Sequence, residues 1–136
     1  MRPGRFQEFV IGLAESSGAA TGARLLTEAG GAVVPCGVAI GTGGEESEWG
    51  ILGQLPDGAK HDGFDDTPVH GEPVAPGDGP RTGDEPEAWL AALLARAQSP
   101  EIAGVERWSV REDMRPGYAG VTVRFHNSAR VFVRLL

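Results

Sequence analysis

The sequence predicts a single α+β domain. Its expected parts are two N-terminal helices, a β-hairpin, a long acidic Gly/Pro-rich loop, one amphipathic helix and a C-terminal three-stranded antiparallel meander. Three observations predict this. Large apolar side chains recur at helical spacing in two separated stretches. Val-rich segments with strand-like patterning stand after the first stretch and again at the C-terminal end. The chain has 136 residues, enough for one hydrophobic core and too few for two ordinary domains.

Phe6, Phe9, Val10 and Leu13 fall at i, i+3, i+4 and i+7, which predicts an amphipathic helix over residues 4–16. Residues 20–29 are Ala-rich and helix-compatible, with Leu25 and Leu26 the large apolar side chains; a second short helix is expected there, ended by Gly30 and Gly31. Residues 32–40 read as a strand whose Pro35 belongs at an edge or a bulge. A Gly-rich turn leads to a second strand over 48–55, and the two are expected to pair as a hairpin.

Residues 56–86 hold twelve Gly and Pro, eight acids and two bases. They carry −6 of the chain's net −7, so the acidity belongs to this loop and the remainder is nearly neutral. A helix follows, with Asp84 and Glu87 at capping-box spacing and an apolar stripe of Trp89, Leu90, Leu93, Leu94 and Ala97. Three strands then fall over residues 105–111, 118–126 and 130–136. A three-residue loop between the last two is expected to set Phe125 opposite Val131, Val123 opposite Val133 and Val121 opposite Leu135, giving one fully apolar face. The expected core comprises Trp89, Leu93, Trp108, Val121, Val123, Phe125, Val131 and Val133. No internal repeat is visible.

Several function classes are disfavoured. No apolar run approaches the roughly 18–20 residues of a membrane helix. Gln7, Glu8 and Glu15 interrupt what would be the apolar part of an export signal, and Cys36 stands alone, so a cytoplasmic location is expected. A net charge of −7 makes nucleic acid an unfavourable partner. The Gly41–Gly44 turn is followed by Glu45, Glu46 and Glu48, which would repel a phosphate. Serine and paired-carboxylate contexts show no catalytic constellation, and no cofactor is expected.

Two candidate sites remain. The outer face of the last hairpin would carry Arg124, His126, Arg130, Phe132 and Arg134, cations around an aromatic ring suited to an acidic ligand. The acidic loop, which is a candidate to fold over that basic face, contains His61, Asp62, Asp65, Asp66 and His70, residue types that ligate transition metals. The leading expectation is a non-enzymatic protein-binding or assembly module, joining a protein partner or a second copy through a strand edge at Pro35 or at the C-terminal strand. The alternative is a small metal-dependent enzyme or ligand-binding protein using the His/Asp-rich loop.

Overall fold

The structure, a computed structural model, describes residues 1–26, 36–42, 44–56, 68–81, 83–110 and 119–136. Helix α1 spans Pro3–Ser17 and is followed by β1 (Gly22–Leu25), β2 (Gly37–Thr42) and β3 (Glu45–Gln54). Helix α2 (Pro86–Arg96) is followed by β4 (Ile102–Arg107), a 3-10 turn at Trp108–Val110, β5 (Gly120–Phe125) and β6 (Arg130–Leu135). The strands form one antiparallel sheet in the order β1-β2-β3-β6-β5-β4. The mixed helix-and-sheet class is therefore as expected, whereas several of its parts differ.

Although the sequence shows no repeat, the architecture has one. A helix followed by a three-stranded meander occurs twice, and the two units join along β3 and β6. The expected hairpin, extended by β1, and the expected meander are thus halves of one sheet. This overturns the expectation that the C-terminal strand is an edge. β6 is central, bonded to β3 on one side and β5 on the other, and β2 is flanked by β1 and β3. The edges are β1 and β4. Pro35 lies outside the described residues.

The start of the second expected helix is a strand instead. Gly22–Leu25 pairs with β2, setting Leu25 opposite Val38 and Ala23 opposite Ile40. Ala23, Arg24 and Leu25 are good helix formers, but a ladder of backbone hydrogen bonds to β2 plus packing of Ala23 and Leu25 onto the core overrides that preference. Residues 27–29 lie outside the described residues. The strand expected over 105–111 begins earlier and stops at Arg107, where the 3-10 turn diverts the chain.

Both helices lie on one face of the sheet. Phe6, Val10 and Ala14 of α1 and Trp89, Leu90, Leu93 and Leu94 of α2 are buried against Val38, Ile40, Trp49, Ile51, Val121, Val123, Phe125, Val131 and Val133. The Phe6 ring meets Phe125 edge-on, with centroids 6.4 Å apart, which joins α1 to β5. Arg5 forms a two-pronged ion pair with Glu101, at 2.9 and 3.3 Å, fixing α1 to the turn between α2 and β4. Gly18, in the left-handed region at φ 73°, closes α1.

The β5–β6 hairpin has the expected three-residue loop, but one position earlier. His126, Asn127 and Ser128 form it, closed by Phe125 N–H donating to Ala129 O at 3.0 Å. Val121 therefore faces Val133 and Val123 faces Val131. The slip is by two residues, so every side chain keeps its expected face. The left-handed position is the last in the loop, Ser128 at φ 71°, while the Asn127 side chain accepts from Ala129 N–H at 2.9 Å.

Trp108 is the correction to the expected core. It is half-buried on the opposite face, where its Nε1–H donates to Thr122 Oγ1 at 2.8 Å. The expected capping box is also absent. The N-cap of α2 is Glu85, without a side-chain cap, and Asp84 accepts from Arg81 N–H at 2.9 Å. Glu87 turns inward instead. It is 3 % exposed, and its carboxylate accepts four hydrogen bonds, from Arg107 Nε, the Ser109 hydroxyl, Ser109 N–H and Gly120 N–H.

Candidate functional site

Side chains alternate along a strand, so the helix-covered face leaves a second set on the other side of the sheet. No α-helix among the described residues packs there; the 3-10 turn at Trp108–Val110 covers only the Gly120 end of β5. Leu52 of β3, Phe132 of β6, Thr122 of β5 and Glu106 of β4 are successive partners across the strands and form one row on this open face. The next row is Gln54, Arg130, Arg124 and Gly104. On the other side of the apolar row lie Gly50, Arg134 and Gly120. Beyond them stand Glu48 and Leu136, joined by Leu136 N–H donating to Glu48 O at 2.9 Å.

Two glycines shape this surface. A Cβ on Gly120 would lie 2.5 Å from Trp108 Cε3, so the indole rests directly on Gly120. A Cβ on Gly104 would lie 2.6 Å from an Arg124 guanidinium nitrogen, so that group lies flat across β4. A register shift between Ile102 and Gly104 brings Gly104 opposite Arg124.

The electrostatics are uneven. Arg124 and Arg130 are directly opposed across β5 and β6, an arrangement that costs stability between like charges. Both are exposed, and neither has an ion-pair partner among the described residues. At the far end of the same face, Glu48 is exposed and likewise has no ion pair among the described residues, whereas Glu46 is held by Arg24 at 2.8 Å. Beside the arginines, Leu52 is 69 % exposed although its strand is central. Leu136 is 50 % exposed. A groove of about 270 Å³ opens next to Leu52, lined by Met1, Pro3, Leu55 and Ala129.

The structure brings together four of the five residues expected on the hairpin's outer face: Arg124, Arg130, Phe132 and Arg134. His126 belongs elsewhere. Its ring rests on Gly71, and its Nε2 lies 3.0 Å from Glu72 O. It anchors a strap, residues 71–81, that crosses the C-terminal end of α2. The other ties are Gly71 N–H to Pro100 O, Gln98 Nε2 to Val74 O and Arg96 to Gly77 O. Within the described residues the acidic loop therefore does not cover the basic face. Of the candidate metal ligands, His61, Asp62, Asp65 and Asp66 lie outside the described residues, and His70 is exposed.

Leu52 and Trp108 are the site residues that sequence reasoning missed. For Leu52 a signal existed. Ile51 and Leu52 are adjacent in a strand, so one of two large apolar side chains must face outward. For Trp108 there was none, because its position depends on the 3-10 turn.

No family model matches the chain, and no curated protein or solved structure matches it. Among the described residues, no helix is long and apolar enough to cross a membrane.

Proposed function

We propose that this chain is a non-enzymatic protein-binding or assembly module that acts through the open face of its sheet. One observation carries the reading: Leu52, largely exposed on a central strand, lies beside an opposed Arg124–Arg130 pair that has no ion-pair partner among the described residues. Exposed apolar surface next to unneutralised cations favours a partner that brings an apolar side chain and a carboxylate together. Phe132 and Trp108 extend the apolar strip, and arginine with aromatic residues is the composition enriched at protein interfaces. The sheet face replaces the expected strand edge as the contact surface.

Site-specific photocrosslinking in the cell that makes the protein tests this. A crosslinking side chain at position 52 is compared with one at Glu8, which is exposed on α1. A discrete protein adduct at 52 and not at 8 is the expected result. Equal labelling at both positions, or none at 52, sinks the reading.

A further inference from the structure

Building on that reading, we propose that the occupant of the open face is a second copy of the same chain, docked sheet on sheet about a two-fold axis crossing the strands near the Ile51–Val133 pair. The open face is self-complementary. In a two-fold interface each patch must meet its own counterpart, so a surface suited to it carries matching groups on opposite sides of the axis. Along β6 the outward residues are Arg130, Phe132, Arg134 and, just beyond, Leu136. An axis at Val133 places Phe132 over Arg134 of the second copy, the geometry of a cation–π contact. It places Leu136 of the second copy toward Arg130 and the nearby exposed Leu52.

On β3 the same axis sets Gln54 against Glu48 of the second copy, and Leu52 against Gly50, which has no side chain to obstruct it. Arg130 is the direct cross-strand neighbour of Gln54. Its guanidinium therefore comes within reach of Glu48 of the second copy. These are an exposed cation and an exposed anion that lack ion-pair partners within one chain's described residues. The symmetry makes this contact twice. Six strands about 4.8 Å apart and roughly 20 Å long give a face of about 29 by 20 Å, on the order of the ~800 Å² per partner of a standard interface once side-chain relief is included. Aligned packing of two such sheets is an ordinary arrangement, as in β-sandwiches.

Native mass spectrometry and sedimentation of the full chain test the proposal. The wild-type protein is expected to be dimeric at micromolar concentration. Arg130→Glu and Glu48→Arg each create two like-charge contacts and are expected to raise the dimer dissociation constant at least ten-fold. The double variant, and an equimolar mixture of the two single variants, restore opposite charges at both contacts and are expected to recover the dimer. Far-UV circular dichroism checks that each variant, changed only at exposed positions, stays folded. A wild-type monomer at every soluble concentration overturns the proposal, as does a dimer indifferent to all these changes. The crosslink at position 52 separates the two levels of failure. An adduct with a different protein removes the second copy and leaves the binding module standing, whereas no adduct and no dimer remove both.

Discussion

Gly120 donates its backbone N–H to the buried carboxylate of Glu87 at 3.1 Å, so the N-terminal turn of α2 holds the start of β5. The same carboxylate accepts from Ser109 N–H at 3.2 Å and from Arg107 Nε at 2.9 Å. Glu87 thus clasps the chain on both sides of residues 111–118 and satisfies its own lone pairs in doing so. A buried carboxylate without such donors would be strongly destabilising.

Glu87→Gln is expected to lower stability by about 3 kcal/mol, since an amide NH₂ must replace one acceptor and confront a donor. Urea unfolding at neutral pH measures it. A change below about 1 kcal/mol would mean that the clasp contributes little.

The same residue predicts an acid dependence. Burial pushes the Glu87 carboxyl upward, but hydrogen bonds from the Ser109 hydroxyl, Gly120 N–H, Arg107 and Ser109 N–H together outweigh it and hold it below its ordinary value of 4.5. A depressed folded-state value stabilises the fold above the unfolded-state value and ceases to do so as pH falls through the folded one. Wild type should therefore lose stability below about pH 4.5 more steeply than Glu87→Gln, and the gap between them should narrow. Unfolding midpoints from pH 7 down to 3 on both proteins decide this; parallel curves would contradict it.

Gly120→Ala is expected to cost about 1–3 kcal/mol. The added methyl would meet both the Trp108 ring and Val133 O at 2.5 Å, and the backbone oxygen cannot give way. A shift of Trp fluorescence with the loss of stability would place the clash at Trp108; an unchanged protein would mean that both the ring and the neighbouring strand give way.

Two leucines should behave oppositely. Leu93→Ala, at a buried position against the sheet, is expected to cost about 2–5 kcal/mol. Leu52→Ala, at an exposed one, should change the unfolding free energy of the separated monomer by no more than about 0.5 kcal/mol. Denaturant titration at low protein concentration compares them.

The strap at 71–81 should open locally. In the double variant Gln98→Ala/His126→Ala it loses two of its ties, at Val74 O and Glu72 O, worth about 0.5–1.5 kcal/mol each. Limited proteolysis should then cut within 68–81 several-fold faster, while the sheet resists. Unchanged cleavage would show that the remaining contacts suffice.

Much of this fold was legible because its signals are local. The i, i+3, i+4 stripes of α1 and α2 and the alternation of Val121 to Val133 each follow from a period that one segment displays alone. β1 was not legible. Its four residues form a strand only because β2 lies beside them. The joining of β3 to β6 was hidden for a similar reason. Gly50 and Gly53 dilute the alternation of β3, and a match between Gln54 and Arg130 is a tertiary fact. At the candidate site, the arginines and Phe132 could be assigned to one face from their spacing. Their neighbour Leu52 required the register between the two halves, and Glu87 showed only its helix-start spacing, not the strand it would grip.

The central place of β6 bears on how the protein must be made. On a ribosome, β1, β2 and β3 emerge long before Arg130, and until then the β3 edge that will receive β6 has no partner from its own sheet. An open edge of that kind is a template for wrong pairing. At ordinary elongation rates of about 5–20 residues per second, the 76-residue interval from Gln54 to Arg130 lasts for seconds. The first half of this molecule is therefore a nascent chain with a sticky side, and its survival depends on what shields that side until the second half arrives.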